Sequence, residues 1–350
     1  MPRDSVDIGI VVPAFNVAGY VRAFFDCLKE QTYQGFHLVV VDDCSFDETY
    51  DLCVHEGSWL GSRLTVLRNK RNLGPGQTRN RGLDVLCLDP PTYVTFLDVD
   101  DWFEPAYLED LHRAAVDFAA DLSIAGIVRF EDKSDRVLVT EMVSYPPQLF
   151  EDSSQVDELA SINTCPYAKL FRFEPIRHVR FRAMRRSEDT CWLFEALPHL
   201  KTVKFTNNAL YHYRVRPTSL SGSMDEGAYY DMHREFAGHP CLFGSEIFAP
   251  YREMFECQVF IRSSIGGVTR LAFNNMARTF FLAREERTWL DECMPTWRTN
   301  KYLSRGRWRS KNKKQAALKF CAYLYKCHAF PLFVFAYYVV SQVFGREVRA

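Results

Sequence analysis

No G-x-x-x-x-G-K-[ST] occurs in the sequence, and its one G-x-G, Gly74-Pro75-Gly76, follows the third apolar run and continues as Q-T-R. A P-loop and a dinucleotide-binding fingerprint are both set aside, because each needs its glycines at a fixed offset from a strand end. The eleven cysteines form no C-x-x-C pair and keep no regular spacing; Cys27, Cys87 and Cys191 lie inside apolar runs. They read as small hydrophobes in a reducing, cytoplasmic setting, not as a disulfide framework. The opening M-P-R-D-S-V-D has no apolar signal core, so export is not expected. Nor is there a clean run of about 20 apolar residues: Lys326, His328 and Pro331 interrupt the stretch from Phe320 to Phe344. Finally, residues 293 to 346 contain no Asp or Glu but eleven Lys or Arg, so residues 1 to 292 carry −12 although the whole chain carries −1.

What is present suits a large folded domain with an appendage: 350 residues, 47% hydrophobic and 25% charged. Ile8 to Val12 is a continuous apolar run ending at Pro13-Ala14-Phe15-Asn16, and Tyr20 to Leu28 has helical spacing. Phe36 to Val41 ends in Asp42-Asp43-Cys44-Ser45; Phe46 to Gly57 then reads as a helix that Ser45 or Asp47 could cap. Leu64 to Leu67 is a third strand, Asn69 to Leu83 a glycine-rich bend leading into a helix, and Tyr93 to Leu97 a fourth strand. This alternation predicts a parallel, helix-covered α/β sheet. Ligands of such sheets sit beyond the carboxyl ends of the strands, where Asn16, Asp42/Asp43 and Asp98/Asp100 all fall. Leu122 to Arg129 and Val137 to Val143 read as further strands.

The stretch Y-V-T-F-L-D-V-D-D-W-F-E-P (93 to 105) brings three carboxylates to one strand end. Two unit charges about 4 Å apart repel by roughly 4 kcal/mol at an effective dielectric near 20, so the cluster must be solvated, protonated, capping a helix or holding a cation. Asp101 reads as the N-cap of a helix from about Pro105 to Ala120. Asp98 and Asp100 either cap the loop or hold a hard divalent ion completed by substrate phosphates.

In order and spacing, six segments resemble family 2 glycosyltransferases of the GT-A fold, of the bacterial capsule, exopolysaccharide and lipopolysaccharide type. They are I-V-V-P-A-F-N (10 to 16), V-V-V-D-D-C-S-F-D (39 to 47), N-L-G-P-G-Q-T-R-N-R-G-L (72 to 83), F-L-D-V-D-D-W-F-E-P (96 to 105), S-E-D-T (187 to 190) and L-Y-H-Y-R-V-R-P-T-S-L-S (210 to 221). The resemblance covers about residues 6 to 222. It implies a Rossmann-like, mostly parallel sheet flanked by helices, with residues 1 to 130 binding the nucleotide-sugar, 131 to 222 facing the acceptor, and 223 to 350 forming a helical extension. It further implies that Pro13, Phe15, Asn16, Asp43, Arg79, Asp98 and Arg214 bind the nucleotide-sugar, with Phe15 against the base and Asp43 on its ring N–H, favouring uracil. Asp98 and Asp100 would be the D-x-D pair for Mn²⁺ or Mg²⁺, with His212 completing the shell, and Asp189 the general base. Of Arg79 and Arg81, at least one would face the donor's phosphates and the other would be a solvated helix residue. Core packing for Phe15, helix capping for Asp43 and Asp189, and a solvated strand face for His212 and Arg214 stand as the plainer alternatives. The Q-x-x-R-W signature of processive synthases is absent, which favours addition of a single sugar.

The implied activity is inverting transfer from a UDP-sugar to a hydroxyl of a glycan or lipid-linked acceptor. A nucleotidyl or polyol-phosphate transferase, or a non-catalytic nucleotide-sugar-binding scaffold, are the rivals. Residues 298 to 319 carry nine Lys or Arg interleaved with Trp297, Tyr302, Leu303 and Trp308, directly before the apolar tail. Peripheral membrane contact through residues 298 to 344, at the inner face of the plasma membrane, is expected, and no nucleic acid partner.

Overall fold

The computed structural model describes residues 6–132, 134–145, 149–216, 224–304 and 313–344. The chain divides into two compact units: one of residues 1–156, 163–183 and 188–216, the other of 157–162, 184–187 and 217–350.

The first unit is built on a ten-stranded mixed sheet. Its strands are β1 (Ile8–Ala14), β2 (Phe36–Asp42), β3 (Leu64–Arg68), β4 (Tyr93–Phe96), β5 (Trp102–Phe103), β6 (Leu122–Glu131), β7 (Val137–Glu141), β8 (Leu149–Phe150), β9 (Lys169–Arg172) and β10 (Val203–Val215). The order β3-β2-β1-β4 is parallel throughout, as the strand–helix alternation predicts. β9 then runs antiparallel between β4 and β6, and β10 lies parallel to β6. The helices are α1 (Ala18–Lys29), α2 (Thr49–Glu56), α3 (Pro75–Leu86), α4 (Tyr107–Asp117) and α5 (Glu188–Ala196). Ile8, Ile10, Val11, Val12 and Val39 to Val41 are wholly buried, as strands covered on both faces must be. Pro13 is tolerated in central β1 because the pairing with β4 ends at Val11, so no ladder donor is needed from it on that side.

The capping expectations need correction. Asp101 does not cap α4, whose N-cap is Ala106 with no side-chain hydrogen bond. Gln31, at the end of α1, accepts from Leu108 N at 3.0 Å and donates to Glu104 O at 2.9 Å. α2 starts at Thr49, and Asp47 binds Thr49 N. Ser45 instead accepts from Asn16 N.

The second unit is helical: α6 (Glu226–Ala237), α7 (Pro240–Phe243), α8 (Arg252–Val259), a π-helical turn (Phe260–Gly267), α9 (Val268–Asn274), α10 (Thr279–Cys293), α11 (Lys313–Lys326) and α12 (Phe330–Phe344). At its centre the fully buried Glu286 accepts from the hydroxyls of Tyr229, Ser263 and Ser264 and pairs with His233 at 2.8 Å. A buried carboxylate is tolerable only when so many donors satisfy it; the His233 and serine contacts hold it below its usual range against the upward push of burial. Trp297, Tyr302 and Leu303 are also core residues. They are therefore not an exposed stacking surface for bases. Residues 305–312, the heart of the basic strip, and residues 217–223 lie outside the described residues.

Candidate active site

Three loops at the carboxyl ends of β1, β2 and β3 are sewn together by side chains. Asn16, at φ 51, accepts from Phe46 N and donates its own N–H to Ser45. Val17 N and Ala18 N, at the start of α1, donate to Thr49 Oγ1 and Asp47 Oδ2. Asp43 is 3% exposed and takes Asn69 Nδ2 (2.7 Å) and Leu73 N (2.9 Å) on Oδ1 and Gly74 N (2.8 Å) on Oδ2. Gly74 sits at φ 84, a conformation an L-residue adopts only with strain, so this loop needs glycine there. Asp43 thus fixes the bend leading into α3, and Oδ2, with a single protein donor, keeps acceptor capacity. Phe15 is no core aromatic. The residue is 39% exposed and, among the described aromatics, its ring meets only Phe46, edge-on at 6.2 Å.

α3 carries the residue that joins the site. Arg79 is 5% exposed and its guanidinium reaches Asp98 Oδ1 at 3.0 Å and Glu188 Oε1 at 3.2 Å. The D-x-D strand end and the E-D helix start, 90 residues apart in sequence, are held by one cation. In the structure the Arg79 guanidinium is paired with these two carboxylates. Arg81 is no solvated residue; it donates to Arg68 O at 2.6 Å and Asn69 Oδ1 at 2.7 Å. Gly76 allows the close approach: a Cβ there would stand 2.9 Å from Glu188 Cγ.

Asp189 lies in the first turn of α5. Its Oδ1 accepts from Thr190 N at 2.7 Å, while Oδ2 has no hydrogen bond among the described residues. Burial and the neighbouring Asp189 push Glu188 up to about 7, against the pull of Arg79.

On the other side, Asp101 is buried and accepts from Tyr211 Oη and Arg214 N, both at 2.8 Å. Burial, with Asp100 and Asp98 nearby, raises it well above the carboxylate range. Asp100 is raised for the same reasons, burial first and Asp98 second, with Arg216 opposing. Arg214 Nε donates to Asp100 O, its Nη1 meets Asp132, and Arg216 Nη2 meets Asp100 Oδ2 at 2.5 Å. Both arginines lie over the Tyr20 ring. The strand face of His212, Arg214 and Arg216 is thus engaged, not solvated. His212 stacks on Trp102 at 3.5 Å and shares a hydrogen bond with Glu104 at 2.9 Å, so its Nε2 is committed to that carboxylate.

Among the described residues no three His, Cys, Asp or Glu side chains form a set that could hold an ion alone. Asp98 and Asp100 nonetheless are oxygen donors of the kind a hard divalent cation takes when its other ligands come from phosphates and water.

The parallel α/β half-sheet, flanked by helices and followed by a helical region, is GT-A-like in architecture. Residues 9–180 belong to glycosyl transferase family 2, whose model they match. The chain is 29% identical over 222 residues to glycosyltransferase GlyA of Streptococcus pneumoniae, a match covering 61% of this chain and 31% of that protein. It is 32% identical over 109 residues to the amylovoran biosynthesis glycosyltransferase AmsB of Erwinia amylovora, covering 31% of this chain and 35% of AmsB. The matched parts therefore span about a third of these relatives. In fold, the chain is similar to S. aureus TarS 1–349, solved in complex with UDP-GlcNAc, with a TM-score of 0.67 and 18% identity over 98% of this chain and 93% of that one.

Proposed function

We propose that the protein transfers a single sugar, with inversion, from a UDP-sugar to a hydroxyl of a glycan or lipid-linked acceptor in surface polysaccharide synthesis. The observation that carries this reading is the Arg79 bridge: it draws the D-x-D carboxylate Asp98 and the E-D helix start into one locus, with Asp189 the next residue along. Exposed Phe15 offers a face for the base, and Asp43 Oδ2 an acceptor for a ring N–H. Support for the donor class comes from TarS, solved with UDP-GlcNAc and with UDP, and for the metal from a mannosyltransferase of Pyrobaculum calidifontis solved with GDP-Man and Mn²⁺.

In this reading Asp189 Oδ2 takes the acceptor's hydroxyl proton as that oxygen bonds to the anomeric carbon. The bond from that carbon to the phosphate oxygen breaks on the opposite face, and its electron pair leaves with UDP. A Mn²⁺ or Mg²⁺ ion held by Asp98 and Asp100 would stabilise the charge on the departing diphosphate. Arg214, at Asp100 and Asp132, sits where a guanidinium can pair with that charge.

The test is UDP release from a panel of UDP-sugars. We expect Mn²⁺-dependent release that is lost in Asp100→Ala; donor binding with no release under any acceptor condition would instead indicate a scaffold.

A further inference from the structure

Arg216 stands at the one place where the site, as read above, needs another cation. Its Nη2 lies 2.5 Å from Asp100 Oδ2, at the carboxylate that the metal-dependent reading assigns to the ion. The contact is sheltered, with the two side chains 22% and 20% exposed, and the Tyr20 ring lies 5.2 Å from the guanidinium carbon. Yet the guanidinium is incompletely satisfied: Arg216 Nε is buried and has no hydrogen-bond partner among the described residues. By contrast, Arg214, two residues earlier, has its Nε on Asp100 O and its Nη1 on Asp132. A guanidinium and a divalent ion on one carboxylate repel each other and compete for its lone pairs.

We propose that Arg216 is the resident counter-cation of Asp100: in the unloaded enzyme it occupies Oδ2 and competes with a divalent ion for that carboxylate, so that divalent-ion capture requires its displacement and is conditional on the nucleotide diphosphate. The diphosphate supplies the negative charge and acceptor oxygens that let Arg216 leave Asp100 without becoming an unpaired cation, and it contributes ligands to the ion at the same time. The nucleotide and the ion are then captured together, and the ion alone is held poorly.

This rests on the metal-dependent reading, and Mn²⁺ binding, read from loss of the free-ion electron paramagnetic resonance signal, separates the two. The full-length wild type, Arg216→Ala and Arg216→Gln are titrated with Mn²⁺ alone and with saturating UDP. Without UDP, both variants should bind Mn²⁺ at least tenfold more tightly than wild type; with UDP the gap should close to within about threefold. Asp100→Ala in the Arg216→Gln background should abolish the gain. Equal affinities without UDP, or a gain that survives Asp100→Ala, overturn the displacement proposal while leaving the transferase reading intact. Failure of every form to bind Mn²⁺ even with UDP overturns the metal-dependent reading and this proposal with it.

Discussion

At Glu188 and Asp189, two adjacent carboxylates are given different environments. Glu188 is buried against Arg79, whereas Asp189 is half-buried with one oxygen tied to Thr190 and the other open. The open one is the base in our reading. Asp189→Asn should keep the fold and donor binding but lose transfer by about 10²- to 10⁴-fold, the usual worth of a general base, measured as initial rates at saturating donor. Glu188 makes a different prediction. Its folded value of about 7 lies above the ordinary glutamate value of 4.5, so the folded state holds its proton more tightly than the unfolded chain does. Its contribution to stability is then fully present below about 4.5 and is lost as pH rises through about 7. Thermal melts from pH 5 to 8 should show a smaller fall in Tm for Glu188→Gln than for wild type.

The elements that could be read locally are those whose pattern is local. β1 to β4, α3 and α5 follow from apolar runs, a glycine-rich bend and an acidic helix start. The caps did not follow, because Gln31 reaches α4 across 77 residues and Thr49 reaches α1 across 32. Nor did the pairing of Arg79. Its place in a glycine-rich segment suggested phosphates, and nothing in the spacing of the chain announces a buried guanidinium shared by Asp98 and Glu188. One signal was available for the helix packing: α3 carries glycines at 76 and 82, six residues apart. Gly82 lets α3 approach β1, since a Cβ there would stand 2.5 Å from Val11 Cγ1. Gly82→Ala should cost about 1–3 kcal/mol through overpacking, read as a lowered urea midpoint with an unchanged slope.

At the scale of the whole molecule, the helical unit ends in an apolar hairpin. No described helix is long and apolar enough to cross a membrane, and α12, with 15 residues, spans only about 22 Å at 1.5 Å per residue. The surface of the α11–α12 hairpin is nonetheless apolar: Phe320 on α11 and Leu332, Phe335 and Val340 on α12 are each at least 49% exposed. With nine basic residues between 298 and 319, six before the hairpin and three on α11, we propose that this hairpin lies on an anionic membrane surface. The full-length protein should sediment with phosphatidylglycerol vesicles at low salt and be released as salt rises. Recovery in the supernatant at low salt would disprove the contact.

The sequence by itself determined the sheet's parallel half, the acidic strand end and the acidic helix start, because each is specified by neighbours a few residues apart. Only the tertiary structure decided which charges meet. Asp43 to Gly74, Arg79 to Asp98 and Glu188, and Asp100 to Arg216 are pairings across 19 to 116 residues. Such partners are chosen by burial: a charged group removed from water must find an opposite charge or donors wherever the fold places them, and no local pattern records where that is.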